Sequence, residues 1–314
     1  MKAFITGGAG FIGSSLADRL LAEGHLVTIY DNFNDYYDPA LKERNIAPNL
    51  DNANYDVIRG DIEDEKSLLA ALSAKAPDVV IHLAARAGIR PSLEHPVDYM
   101  KTNVVGTANL LNAMAKLGLR KLVFASSSSV YGNCRAESFS EKLKVTEPIS
   151  PYAASKSACE QLCYTFQHLY HIKTVCLRFF TVYGPRQRPD LAIRKFIDRI
   201  DNGEPIDMYG DGSSRRDYTF IKDIISGIRA AIDYNGNEYE IINLGGGEPI
   251  TLNRMIATIE KVLGKKAVIN RLPMQPGDVD KTVCDWSKAK KLLKYTPSTT
   301  FEDGIRAFVE WRCK

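Results

Sequence analysis

Lys2-Ala3-Phe4-Ile5-Thr6-Gly7-Gly8-Ala9-Gly10-Phe11-Ile12-Gly13 is a short apolar run that breaks into spaced glycines. A helical pattern follows through Leu16, Leu20 and Leu21 to Gly24, and a second apolar run, Leu26 to Tyr30, ends in Asp31. Strand, glycine turn, helix and strand in this order predict a βαβ unit. Gly7 permits the tight turn, Gly10 lets backbone N–H groups approach a pyrophosphate, and Gly13 lets the helix pack closely on the strand. The opening turn of the helix presents N–H groups without partners, which suits phosphate. Asp31, eighteen residues beyond Gly13, stands where a carboxylate accepts from both hydroxyls of a ribose and repels a 2′-phosphate. The unit is expected to bind a dinucleotide, NAD in preference to NADP.

The alternation continues. Strand patterns at Tyr55 to Arg59, Asp78 to Leu83, Lys121 to Ala125 and Lys173 to Phe179 are separated by helical patterns at Asp64 to Lys75, Pro96 to Leu117 and Pro151 to His171. This predicts an α/β fold with a doubly wound parallel sheet of the Rossmann type, which binds ligands at the carboxyl ends of its strands. Gly60-Asp61-Ile62 after the third strand and Leu83-Ala84-Ala85 after the fourth should therefore border the cofactor, as should Phe11, Ile12 and Asn32 beside the first two.

After Phe180 turn residues multiply, in Tyr183 to Asp190 and in Gly210-Asp211-Gly212. Helical segments recur at Ala192 to Asn202, Ile221 to Tyr234, Leu252 to Leu263, Ser287 to Leu293 and Phe301 to Trp311, with short strands at Ile206 to Tyr209 and Glu240 to Asn243. We expect a dinucleotide-binding domain of residues 1–178 with 216–243, and a smaller, non-contiguous substrate domain of 179–215 with 244–314. Asp223 reads as a cap of the helix that follows it.

Of 314 residues, 45% are hydrophobic and 25% charged, and Lys and Arg (41) nearly balance Asp and Glu (38), as in an ordinary globular protein. No basic block advertises a nucleic-acid or membrane surface. No apolar run is long enough to span a bilayer and no signal-like segment opens the chain, so a cytoplasmic location is expected. The six cysteines form no C-x-x-C pair and read as reduced, mostly buried thiols; neither a zinc site nor another metal is expected, and His82, His168 and His171 read as structural.

Ser150-Pro151-Tyr152-Ala153-Ala154-Ser155-Lys156 opens a long amphipathic segment. A tyrosine and a lysine four residues apart share one helix face, so an ammonium stands beside a phenol and is expected to favour the phenolate. Tyr152 then serves as acid and base.

The glycine motif, Ser126-Ser127-Ser128-Ser129 before Val130-Tyr131-Gly132, Tyr152-x-x-x-Lys156, and Leu177-Arg178-Phe179-Phe180-Thr181-Val182-Tyr183-Gly184-Pro185 together resemble the extended short-chain dehydrogenase/reductase family over essentially the whole chain. Asp31-Asn32-Phe33-Asn34-Asp35-Tyr36-Tyr37-Asp38-Pro39, Arg186-Gln187-Arg188-Pro189-Asp190 and Gln275-Pro276-Gly277-Asp278 look like its UDP-glucuronate 4-epimerase branch. The resemblance implies a UDP-sugar substrate and catalysis by Ser127, Tyr152 and Lys156. Ser127 holds the sugar O4, Tyr152 removes its proton, and Lys156 also bonds the nicotinamide ribose. Oxidation at C4 to a 4-keto sugar, rotation of that sugar, and reduction from its other face invert the centre without net redox change.

Family patterns also discriminate within the family. The related 4,6-dehydratases carry an Asp-Glu pair where Ser128 and Ser129 stand, and uronate decarboxylases a glutamate in place of Ser129, so both reactions are disfavoured. Ser128, Ser129 and Thr181 are expected to hold a sugar carboxylate through hydroxyls, and Arg188 to neutralise a carboxylate or phosphate. Arg216 matches the pyrophosphate-binding arginine. Where hexose epimerases have a second one, this chain has Gln275, with Arg90 and Lys195 as possible substitutes and Asp278 nearby. Asn103 is expected to border the cofactor, and the helices Pro96 to Leu117 and Pro151 to His171 to pair in a homodimer. UDP-glucose or UDP-N-acetylhexosamine epimerisation is the nearest rival, and a non-catalytic NAD or sugar-nucleotide binding module the rival of another class.

Overall fold

In the computed structural model, which describes residues 1–273 and 281–313, the chain runs β1 (Lys2–Thr6), α1 (Phe11–Ala22), β2 (Leu26–Asp31), α2 (Pro39–Ile46), β3 (Tyr55–Arg59), α3 (Glu65–Lys75), β4 (Val79–His82), α4 (Ile89–Glu94) and α5 (Pro96–Tyr99). A π-helical segment (Met100–Val105) leads into α6 (Gly106–Leu117), then β5 (Lys121–Ser127), a 3-10 turn (Ser128–Tyr131), α7 (Pro151–Tyr170), β6 (Lys173–Phe179) and β7 (Thr181–Tyr183). The remainder is α8 (Ala192–Asp201), β8 (Ile206–Tyr209), β9 (Arg215–Phe220), α9 (Ile221–Asp233), β10 (Tyr239–Leu244), β11 (Pro249–Thr251), α10 (Leu252–Leu263), β12 (Ile269–Leu272), α11 (Ser287–Leu293) and α12 (Phe301–Arg312).

Seven strands form one sheet in the order β10-β6-β5-β4-β1-β2-β3, every pair parallel. This is the expected doubly wound sheet. Successive side chains alternate between its two covered faces. Ile5, Ile29, Ile81 and Val123 pack against Leu16 and Leu20 of α1 and Ile224 and Ile228 of α9. Phe4, Tyr30, Val80 and Phe124 face Leu68 and Leu72 of α3, Leu110 and Met114 of α6, and Cys159 and Cys163 of α7. At about 2 kcal/mol for each fully buried large aliphatic side chain, these two layers supply the main stabilisation of the sheet.

Strand order reverses at β1 and β4, so the crevice where ligands dock on such sheets opens beyond the carboxyl ends of those strands. The glycine turn follows β1, and Leu83-Ala84-Ala85 follows β4. Two small sheets, β11-β9-β7 and β12-β8, stand apart from the large one. β9 was expected to lie within the first domain, yet it pairs with β7 and β11, from segments expected in the second.

Local chemistry fixes the helix starts. The Asp64 carboxylate accepts from the N–H groups of Lys66 and Ser67 and starts α3. Ser150 Oγ accepts from Ala153 N at 3.1 Å, and Pro151 occupies the first helical position, which places Tyr152 in the opening turn of α7. Asp223 differs from its expected role as a cap. It lies inside the first turn of α9, and its carboxylate accepts from Ser298 N (3.3 Å) and Thr299 N (3.2 Å), tying the segment before α12 to the helix.

Candidate active site

The glycine turn is shaped by contacts that leave no room for side chains. Gly7 has φ +68°, and a Cβ there would stand 2.7 Å from Ala84 N. A Cβ on Gly13 would lie 2.3 Å from the Gly7 carbonyl oxygen, so only glycine lets α1 approach the turn. Gly10 is different: the Gly7 oxygen at 3.3 Å and the Tyr37 hydroxyl at 4.0 Å are all a Cβ there would meet. Its bare backbone faces a cleft of about 410 Å³. No acidic side chain occupies the first turn of α1 and no side chain caps it, so its N–H groups remain for an anion. At the end of β2, Asp31 accepts from Ala9 N (3.1 Å) and Phe33 N (2.9 Å). This cradle fits a dinucleotide, with Gly7, Gly10, Phe11, Ile12, Gly13, Asp31 and Asn32 on one wall and Ile62, Leu83, Ala84 and Ala85 on another.

Further along the same cleft stand Ser127, Ser128, Ser129, Tyr152, Lys156, Thr181 and Arg188. Lys156 Nζ donates to Ala125 O at 2.8 Å and lies 5.0 Å from the Phe124 ring centroid. Ser127 Oγ accepts from Ser129 N and donates to Ser129 Oγ, both at 3.1 Å. Tyr99 packs edge-on to Tyr152, with ring centroids 6.2 Å apart. The Arg188 guanidinium grips Asp190 at 3.0 and 2.8 Å and lies over the Tyr36 ring.

The electrostatics correct one expectation. Burial pushes the Tyr152 phenol above its ordinary value, opposed by the hydrogen bond it shares with Ser127 and by the Arg188 charge. Burial likewise pulls the Lys156 ammonium down, opposed by Cys159, Cys163 and Glu160. The lowering of the Tyr152 pKa expected from Lys156 is not seen: withdrawal of the phenol from water dominates, and the groups that oppose it are Ser127 and Arg188.

A family model described as GDP-mannose 4,6 dehydratase matches residues 4–308. The chain belongs to that family of sugar-nucleotide enzymes. It is 44% identical to the UDP-glucuronate 4-epimerase of Thermodesulfobacterium geofontis, over 98% of this chain and 94% of that one. The crystal structure of UDP-glucuronic acid 4-epimerase from Bacillus cereus with UDP-glucuronic acid and NAD superposes with a TM-score of 0.94 at 39% identity, covering 99% of this chain and 98% of that one. UDP-glucose 4-epimerase from Thermotoga maritima, with UDP-glucose, gives 0.90 at 32% identity, covering 100% and 99%.

Among the remaining residues singled out for this family site, several lie away from the cleft wall. Asn103, in the π-helical segment, accepts from Arg86 N (2.8 Å) and donates to Arg86 O (3.0 Å) and Ser155 Oγ (2.9 Å), so it braces the loop after β4 from behind. Asp61 accepts from Asn32 Nδ2 at 2.8 Å. The Arg90 guanidinium stacks 4.9 Å over Tyr209, Lys195 is exposed on α8, and Arg216 Nη1 donates to Arg215 O. Asp278 and Gln275 lie outside the described residues. Among the cleft residues to which the sequence assigns no role of their own are Tyr36, Tyr37 and Lys42. Lys42 sits on α2, whose start was marked by Asp38-Pro39: the Asp38 carboxylate caps Ala40 N and Pro39 takes the first helical position.

Proposed function

We propose that the protein interconverts UDP-glucuronate and UDP-galacturonate by inverting C4, with NAD held in the glycine-turn half of the cleft. NAD bound there supplies reversible hydride exchange at the sugar C4 carbon. Gly7, Gly10 and Gly13 with the α1 N-terminus hold its pyrophosphate, and Asp31 holds a ribose. Tyr152 takes the O4 proton and returns it, Ser127 orients that oxygen, and Lys156 keeps a positive charge beside the phenol while it is ionised.

The observation that carries the reading is the hydroxyl wall. Ser128 and Ser129 follow Ser127, and Thr181 stands on the same cleft, where elimination or decarboxylation would call for a carboxylate acid or base. Three neutral hydroxyls hold a sugar carboxylate without protonating a carbon, and Arg188 compensates its charge. The match to a dehydratase-named family model is compatible with this, because the family spans both reactions.

The free state of all six thiols supports a cytoplasmic location. Leu93, Val97, Met100, Tyr164 and Leu169, all exposed on α4, α5, the π-helical segment and α7, support a homodimer through these helices. Incubation with UDP-glucuronate, UDP-glucose and UDP-N-acetylglucosamine, followed by NMR of the products, tests the reading. UDP-galacturonate is expected from the first; turnover of a neutral sugar alone would reassign the substrate.

A further inference from the structure

Tyr152, Lys156 and Glu160 are spaced by four residues on α7 and so descend one helix face. The first two reach the cleft, while the third meets a fully buried partner. Arg178 of β6 donates to Glu160 through Nε (2.8 Å) and Nη2 (2.7 Å), and both side chains are almost inaccessible, at 2% and 5% of their surface. Ser126 Oγ, on the strand position paired with Arg178, donates to the same carboxylate at 2.5 Å. On its other side the guanidinium lies 4.8 Å from the ring centroid of Tyr131, which closes the turn carrying Ser128 and Ser129. Tyr131 is anchored in turn by donating to Asn243 Oδ1 at 2.7 Å.

One ion pair thus grips the chain just before Ser127 and again four residues after it, and binds both points to the helix that carries Tyr152 and Lys156. Such a pair is a poor source of stability, since burying each ion costs several kcal/mol and apolar side chains of the same volume often serve as well. What its geometry adds is a direct tie from α7 to β6 and, through Ser126, to β5.

We infer that Glu160 and Arg178 are positioning residues, whose bidentate pair sets Tyr152 against Ser127. The inference rests on the epimerase reading for its kinetic readout. A displacement of about 1 Å between reacting groups costs on the order of 100-fold in rate, so the pair acts on turnover more than on binding.

The test is the double variant Glu160→Leu/Arg178→Met, which removes both charges together, with Glu160→Gln as the milder change. For each, NAD content, thermal midpoint, kcat and KM for UDP-glucuronate, and a crystal structure are measured. The expected result is retained NAD, a KM within about threefold of wild type, a kcat lowered about 100-fold, and a Tyr152 hydroxyl moved away from Ser127. An unchanged kcat with a lowered thermal midpoint, or an unmoved Tyr152, would make the pair merely structural and overturn the inference. Failure of both variants to fold would do the same. If wild type leaves UDP-glucuronate untouched, the epimerase reading fails, while the crystal structures still decide whether the pair positions Tyr152.

Discussion

Lys42 Nζ lies 3.2 Å from Asp31 Oδ1 within the cleft, and both side chains are buried. The ammonium also donates to Asn34 Oδ1 at 3.2 Å. The carboxylate that the sequence marks as the ribose acceptor is thus held in place by a cation from α2. That cation is itself near enough to serve an anion if the carboxylate were gone.

Asp31→Ser should therefore change cofactor preference as well as weaken NAD. Without the carboxylate, Lys42 is left to pair with a 2′-phosphate, and a charge-assisted hydrogen bond contributes roughly 1.5–3 kcal/mol, or about 10- to 100-fold in affinity. Titrating the apo-protein with NAD and NADP measures the ratio directly. A variant that still prefers NAD by the wild-type margin would contradict this role for Lys42.

The hydroxyl wall makes a second prediction. A 4-keto uronate is a β-keto acid that readily loses CO2, and Ser128, Ser129 and Thr181 are proposed to hold its carboxylate in place. The triple variant Ser128→Ala/Ser129→Ala/Thr181→Ala should release CO2 and leave a UDP-4-keto-pentose, which the NADH formed in the first half-reaction can reduce to a UDP-pentose; with substrate labelled at C6 the label leaves as CO2 and is read by NMR as bicarbonate. Turnover free of decarboxylation in that variant would contradict the proposal.

How far the sequence reached depends on how local each signal is. The strand Lys173–Phe179, buried on both faces, and Ile206–Tyr209, which alternates buried and half-buried residues, fall on the expected residues because their boundaries are set by their own composition. Gly7, Gly13, Ser127, Tyr152 and Lys156 converge on one cleft because the parallel topology leaves few places for them. Tyr36 was out of reach: it matters because its hydroxyl donates to Ala87 O at 2.7 Å and meets the Tyr99 hydroxyl at 3.0 Å, contacts set by residues far along the chain. Asn103 stands out in the sequence as a polar residue in an apolar helix, but its partners Arg86 and Ser155 are set by the π-helical segment. Glu160 and Arg178 stand eighteen residues apart in sequence and meet only when β6 and α7 are packed together.

A third prediction concerns His82, whose Nδ1 meets Thr6 Oγ1 at 2.6 Å and Nε2 meets Thr107 Oγ1 at 3.0 Å. Thr107 commits its proton to Asn103 O, so His82 donates from Nε2 and accepts at Nδ1, as a neutral ring. Burial, with the Lys156 charge, pulls its pKa down from 6.5 to about 3. The unfolded chain then binds more protons than the folded one between those values. The stabilising contribution is complete above pH 6.5 and is lost as pH falls, by about 2 kcal/mol at pH 5. His82→Gln should show a correspondingly smaller loss of stability between pH 7 and pH 5 in chemical denaturation. An identical loss in both proteins would mean that His82 is not held neutral.

In the proposed reaction Tyr152 is the group that exchanges the O4 proton while C4 inverts. UDP-glucuronate incubated with wild type and with Tyr152→Phe, followed at C4 by NMR, tests this most directly. Wild type should yield UDP-galacturonate, and the variant should keep its NAD while turning over about 1,000-fold more slowly. Wild-type product with unchanged configuration at C4, or a variant as fast as wild type, would contradict it.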